Sequence, residues 1–338
     1  MVVFWSRRVF EQCSSTLKLA AFDEHWLAFE AGVNLKNALK LSKDMLSKEP
    51  NSLVRWSFHA RLERIRGRIG DARKIYKMAV GSLTVLHQET HTEGAETMFW
   101  DWAEMEWLDG QTVQSEAIIV RATNASISTD TMAKLPATSI LKAKRSLGQR
   151  IQQLITSASD IQKTMSVATN DLVASLINPL VALINLLALL ELLSGDDAYS
   201  ALAHYTDQSY RPPNLPRTFS SNLTESLAIA SSQLLFHYTK TLKAPISPSV
   251  LRNHVHAAVQ SFRGNTIILG MWLESERGET VWGRVRQMMN SVILEPSTLD
   301  ATKCLWSIWQ ETRDKMNWNW EISRVRSTLG KGIGGNDR

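Results

Sequence analysis

Few residues in this 338-residue chain have the types and spacing that chemistry requires, and each has a competing explanation. His87 and His91 stand four apart around Glu89, a spacing that on a helix puts both imidazoles on one face for a metal. The surrounding segment is Thr-rich and polar, which reads as an inter-repeat loop with solvated histidines. His254 and His256 are two apart, so a helix points them in different directions. Gly330-Lys331-Gly332-Ile333-Gly334-Gly335 imitates a phosphate loop but lacks the Gly-Lys-Ser/Thr order between strand and helix, and reads as a frayed terminus. There is no Gly-x-Ser-x-Gly elbow, no Cys and His pair in a distinguishing context, and no carboxylate pair with evident acid and base roles. The expectation is a protein without a catalytic site, metal or cofactor.

Basic residues do cluster. Arg55, Arg61, Arg64, Arg66, Arg68, Arg73 and Lys74 crowd one stretch, and Lys142, Lys144, Arg145 and Arg150 form a second group. On a rim they would contact phosphates or an acidic partner; otherwise they are a solvated helix face. A net charge of +5 permits RNA contact without implying it. The two cysteines, Cys13 and Cys304, have no zinc-ligand spacing and exclude a disulfide framework, which fits a reducing compartment. Arg7 and Arg8 interrupt the apolar start, so it reads as helix rather than secretory signal. Leu172 to Leu190 is uncharged and long enough to span a bilayer. Asn178, Pro179 and Asn185 interrupt it, however, and it reads as two core helices meeting near Pro179, with no membrane partner.

The elements that would position these residues are repeats. One order recurs: an aromatic, an acidic residue, a turn, then an alanine opening a second apolar-periodic segment. It runs through Trp26, Glu30, Gly32 to Asn34 and Ala38; then Trp56, Glu63, Gly67 to Gly70, Ala72, Arg73 and Tyr76; then Trp100, Glu106, Asp109-Gly110 and Ala117. Weaker copies centre on Glu191 and on Trp272 with Glu276, and a half-copy on Trp306, Trp309 and Glu311. Small alanines suit the point where the second helix crosses the first, and large aromatics such as Trp56 suit the wedge between pairs. Glycine supplies the left-handed residue that ends a helix, Asp71 or Asp196 suits the cap of the next, and Glu63 is placed to pair with Arg73.

The expected fold is all-α, a right-handed superhelical solenoid of antiparallel helix pairs of HAT/TPR-like type, with no sheet. Repeats fill 1–125. A middle segment, 126–208, holds a basic amphipathic helix with Leu141, Leu147, Ile151 and Leu154-Ile155 on one side, followed by the apolar helix pair. Proline-interrupted linker and helix occupy 209–248, further repeats 249–325, and a disordered tail 326–338, with Ser247-Pro248 opening the first helix of the later repeats.

Trp56 through Glu63, the glycine turn and Asp71-Ala72-Arg73-Lys74-Ile75-Tyr76 resemble the half-a-tetratricopeptide (HAT) repeat. Asn37 to Leu41, Trp100 to Glu106, and Asn265 to Leu269 with Arg284-Val285-Arg286 resemble the C-terminal portion of the nuclear RNA-interference-defective family. Asn317-Trp318-Asn319-Trp320 stands where that family has a turn and an Ala-Arg helix. The resemblance implies a nuclear, non-enzymatic adaptor in small-RNA-guided silencing, RNA surveillance and splicing control, with the exosome-associated RNA helicase as partner. The alternatives are a HAT scaffold of the splicing or messenger 3′-end machinery, and direct RNA binding through the basic second repeat.

Overall fold

The computed structural model describes residues 2–17, 20–85, 94–124, 135–164, 170–195, 197–210, 217–263 and 265–275. His87, His91, Gly278, the repeat beyond it and the glycine-rich tail lie outside them. The chain divides into two compact units, Met1–Leu227 and Ala228–Arg338, with the division inside the 209–248 segment. Among the described residues there is no strand, and the fold is an all-α solenoid of helix pairs.

In the N-terminal unit, α1 (Val2–Leu17) packs on α2 (Ala20–Lys48). That second element is a hairpin rather than a single rod. Asn34 leaves the helical region (φ −158, ψ 104), and its side-chain Oδ1 accepts from the backbone N–H groups of Lys36 and Asn37, capping a new helix. One guanidinium shows that the chain doubles back. Arg55 donates both to Asp23, early in α2 (2.9 Å), and to the Met45 carbonyl, near its end (3.0 Å). A straight helix would separate those residues by roughly 33 Å.

Two more pairs follow, α3 (Leu53–Ile65) with α4 (Ile69–Val85) and α5 (Ala95–Leu108) with α6 (Thr112–Thr123). Their turns close identically. The left-handed Gly67 (φ 82) and Gly110 (φ 78) each follow a glutamate by four residues. Each turn also carries the six-to-one bond of a Schellman motif, Arg68 N–H to the Glu63 carbonyl and Gln111 N–H to the Glu106 carbonyl. Ala38, Ala72 and Ala117 are fully buried where the second helices cross. The first helices pack in a row, the opening half of α2 and α3 through Leu27 and Phe58, then α3 on α5, and α5 on α8 (Asn170–Gly195).

Three expectations are corrected in the middle of the unit. The apolar stretch forms one helix, α8, which runs through Pro179 without breaking. It is long and apolar enough to cross a membrane, and its segment from Ala182 to Leu190 is buried against protein. Helix α7 (Ala137–Thr164) buries Ile140, Ala143, Leu147, Ile151 and Ile155, which leaves Leu141 exposed on the far side. Asp197 caps α9 (Ala198–Thr206) by accepting from the N–H groups of Tyr199 and Ser200; Asp196, expected there, lies outside the described residues, and Asp71 lies within the first turn of α4.

The C-terminal unit begins within α10 (Arg217–Phe236), which ends in a π turn at His237–Thr241, and continues with α11 (Pro248–Ser261) packed on α12 (Thr266–Ser275). Pro248 opens α11 at its first position, and Asn265 caps α12 through the N–H groups of Ile267 and Ile268.

Candidate functional site

The charged groups of the N-terminal unit converge on the seams between repeats. Four residues before each chain reversal sits a glutamate: Glu30 before Asn34, Glu63 before Gly67, Glu106 before Gly110 and Glu191 before Gly195. Three of these carboxylates receive a cation from the element preceding their helix. Arg7 of α1 forks onto Glu30 (2.5 and 2.9 Å), Arg73 of α4 forks onto Glu106 (2.6 Å at both oxygens), and Lys144 of α7 reaches Glu191 (2.7 Å). The planar guanidinium matches a carboxylate with two parallel bonds, which fixes orientation as well as distance. Hydrogen bonding to Glu106 holds the Arg73 guanidinium more firmly charged than usual, against the opposing effect of burial.

Arg73 was expected to pair with Glu63 of its own repeat; it reaches forward instead, to Glu106 and Asp109. The register explains what Glu63 lacks. Aligning Ala38 with Ala72 puts Leu39 in the first repeat where Arg73 stands in the second, and Leu39 is core. Glu63 is buried, its Oε2 makes no hydrogen bond, and the nearest guanidinium nitrogen, of Arg66, is 3.8 Å away.

A second set of bridges joins first helices directly. Arg61 of α3 donates through Nε and Nη2 to Asp101 of α5 (2.7 and 2.9 Å) and through Nη1 to Glu24 of α2 (2.6 Å). One side chain thus ties three repeats. Ser57 also donates to Asp101, Arg64 pairs with Glu104 (2.9 Å), and Arg150 of α7 pairs with Glu96. Burial works against the Arg61 charge, but Asp101 outweighs it and the net effect raises its pKa.

Part of the basic cluster expected on an outward face is turned inward. Arg61, Arg64 and Arg73 are committed inward, and Lys144 is held by Glu191. Arg66, Arg68 and Lys74 remain outside, in loose pairs with Glu63 or Asp71. Lys142 and Arg145 are exposed on α7. The aromatics also differ from expectation. Trp26, Trp56 and Trp100 are half-buried, and the Trp56 indole donates to the Pro50 carbonyl (2.7 Å) rather than filling a wedge. The wedge is filled by Tyr76 and Trp102, stacked at 5.8 Å and 11°, with Trp102 also donating to Glu106 (3.0 Å). Trp272 is buried in the C-terminal unit, and Glu276 lies outside the described residues. Asp101 and Trp102 were missed as separate residues. Their sequence signal is an acid set directly between two tryptophans, Trp100 and Trp102, a place where a charge needs a partner.

Behind Glu63, His59 is buried and bonded to Ser42 (2.8 Å), whose hydroxyl also meets the Leu39 carbonyl (3.0 Å). With the hydroxyl hydrogen on that carbonyl, the His59 Nδ1 carries the proton that Ser42 accepts. Burial lowers the His59 pKa; Glu63 opposes the shift and Lys43 adds to it. The fold therefore favours neutral His59, the unfolded chain takes up the proton more easily, and stability is lost as pH falls below about 6.5. His204, near Glu191, Asp207 and Lys144, is lowered by burial in the same direction. Between about pH 7 and pH 5.5 the N-terminal unit should melt progressively earlier, and His59→Gln should flatten that dependence in a thermal-melt series. An unchanged slope in the variant would remove His59 from the account.

Among the described residues no three His, Cys, Asp or Glu side chains are grouped to hold a metal. An open groove of about 730 Å³ lies between α7 and the turn at Asp207 to Tyr210, lined by Arg145, Gln149, Gln152 and Tyr210 among others. The seam ion pairs join successive helix pairs of the N-terminal unit.

The class defined by this arrangement is the helical-repeat protein, a solenoid of paired antiparallel helices. No protein-family model and no curated protein matches the chain. Among solved structures it is similar to the human IFIT1 dimer with PPP-AAAA at 12% identity, covering 96% of this chain and 80% of that one, with a TM-score of 0.25. It is also similar to Naa15/Naa10 bound to HypK-THB at 13% identity, covering 85% and 60%, with a TM-score of 0.20.

Proposed function

We propose that this chain is a non-enzymatic scaffold that holds protein partners in nuclear RNA metabolism, in small-RNA-guided silencing, RNA surveillance and splicing control. The observation that carries the scaffold reading is where the charge goes. Arg55, Arg61, Arg64, Arg73 and Arg150 all bind carboxylates of neighbouring elements. Such links make a stack that keeps its shape under load, as a surface presenting several partners must. The nuclear RNA setting, and the exosome-associated helicase as partner, are supported by the resemblance of Trp100 to Glu106 and Asn37 to Leu41 to the RNA-interference-defective family.

Affinity purification of the tagged chain from cross-linked nuclei tests this reading. Silencing and exosome factors should co-purify, and should be lost when the seams are broken by Arg61→Ala with Arg73→Ala. Recovery of splicing or 3′-end core proteins without them would move the scaffold to a different machine.

A further inference from the structure

Helix α1 stands where the second helix of a repeat belongs. Arg7 forks onto Glu30 as Arg73 forks onto Glu106, and three residues later Phe10 stacks on Trp26 (6.5 Å, 6°) as Tyr76 stacks on Trp102. That equivalence aligns α1 with α4, and the first half of α2 with α5, residue by residue. Burial then shows what α1 lacks. Ala72, Ile75 and Ala79 of α4 are buried, and α3 packs on that helix; their counterparts Ser6, Val9 and Cys13 are half-buried. On α5, Asp101 and Glu104 meet α3 through Arg61 and Arg64. Their counterparts on α2, His25 and Ala28, are exposed, and so is Gly32 one turn on, where an added Cβ would meet nothing within 4 Å. Among the described residues no helix fills the notch between these two walls, the place that α3 takes beside α4 and α5.

The end repeat of a solenoid stays soluble by keeping its outer side polar. This side instead shows Trp5, 69% exposed, four residues before Val9 and so on the same side of the helix. Charge decides against an occupant like α3, because Ala28 offers no carboxylate to a counterpart of Arg64. The small Ala28 and Gly32 leave room for a large apolar side chain, and α1 presents one in Trp5. We infer that the notch is filled by α1 of a second copy of this chain, the two copies meeting across a two-fold axis. Paired helices in a repeat run antiparallel, which is what a two-fold imposes, so each α1 takes the first-helix place for the other. Ser6, Val9 and Cys13 then face the same residues of the second copy, close together because two of the three are small, while Trp5 lies against the second copy's α2. Three contacts result, α1 on α1 and each α1 on the other copy's α2. With α1 about 24 Å long and helix spacings of about 9 Å, they cover roughly 650 Å² per copy, or about 1,300 Å² for the pair. That reaches the lower end of specific interfaces. The inference does not depend on the nuclear assignment, because the notch is present whichever assembly the scaffold serves.

Analytical sedimentation of the full chain from about 1 to 100 μM reads the association, a range set by the modest size of the interface. Reductant throughout removes a disulfide at Cys13 as a cause. The parent should pass from 38.0 kDa toward twice that mass as concentration rises. Trp5→Ala should weaken the association at least about thirty-fold, the loss of a buried aromatic anchor. Ala28→Glu, at an exposed helix position, should hold the chain monomeric throughout, and a melting temperature matching that of the dilute parent verifies that it is folded. Leu141→Glu, which places a charge on an exposed apolar residue of α7 away from the notch, should associate as the parent does. A parent that stays monomeric at the highest concentration overturns the inference and leaves the notch to a different occupant. Association that survives Ala28→Glu, or that falls equally with Leu141→Glu, also overturns it, because the copies then meet elsewhere.

Discussion

Arg73→Ala is expected to destabilise the N-terminal unit by about 3 to 5 kcal/mol, because it leaves a charge without its partner in a fully buried place. Glu106 has no exposed surface, and both its oxygens are bound by the Arg73 guanidinium. Removing the cation leaves the Trp102 indole as the carboxylate's remaining side-chain donor. For a unit of this size the loss corresponds to a fall of about 10 °C in melting temperature. Arg7→Ala should cost less, since Arg7 is 38% exposed and water can take over part of its role. Replacing Arg73 and Glu106 together by apolar residues of similar volume should recover much of the loss, because the penalty belongs to the orphaned charge and not to the absence of the pair. Because the chain divides into two compact units, the measurement should be local: hydrogen exchange of the α5 amides. A change under about 1 kcal/mol for Arg73→Ala would show that water reaches Glu106 and that the seam is not held as described.

What could be read in the sequence was what is local. The alanine crossing points and the left-handed glycines at 67 and 110 are set by backbone sterics within a few residues, and the fold places them as the spacing implies. The partners of the charges were not legible. Arg73 and Glu106 are 33 residues apart, and Arg61 and Asp101 are 40 apart. A pairing argued inside one repeat therefore chose Glu63, which was near in sequence and wrong in space. Pro179 failed as a stop signal for a related reason. A break there would expose Leu180 and the apolar run after it, and burying that surface outweighs one absent hydrogen bond. Leu141 was placed on the inner face of α7 by its hydrophobicity alone, whereas the row Ile140, Ala143, Leu147 and Ile151 leaves it outside.

The second large effect concerns Trp102, which takes the place expected of Trp56. Both lie in first helices of their repeats, and sequence spacing alone does not decide which tryptophan faces the neighbouring pair. Trp102 is fully buried and stacks on Tyr76 of the preceding repeat, so Trp102→Ala removes a ring from a closed seam and is expected to cost about 3 to 5 kcal/mol. Trp56 is half-buried, and its N–H bond to Pro50 is close to solvent, so Trp56→Ala should cost under about 1.5 kcal/mol. Trp102→Phe separates the two roles of the indole, keeping most of the stack while deleting the donor to Glu106, at about 1 to 2 kcal/mol. Because Trp102 and Arg73 bind the same Glu106 oxygen, their losses should not add: the double Ala variant should differ from the sum by at least about 0.5 kcal/mol. Additive losses would mean that the aromatic wedge and the charged clamp act separately. Equal losses at Trp56 and Trp102 would restore Trp56 to the interior and shift the register of every repeat that follows.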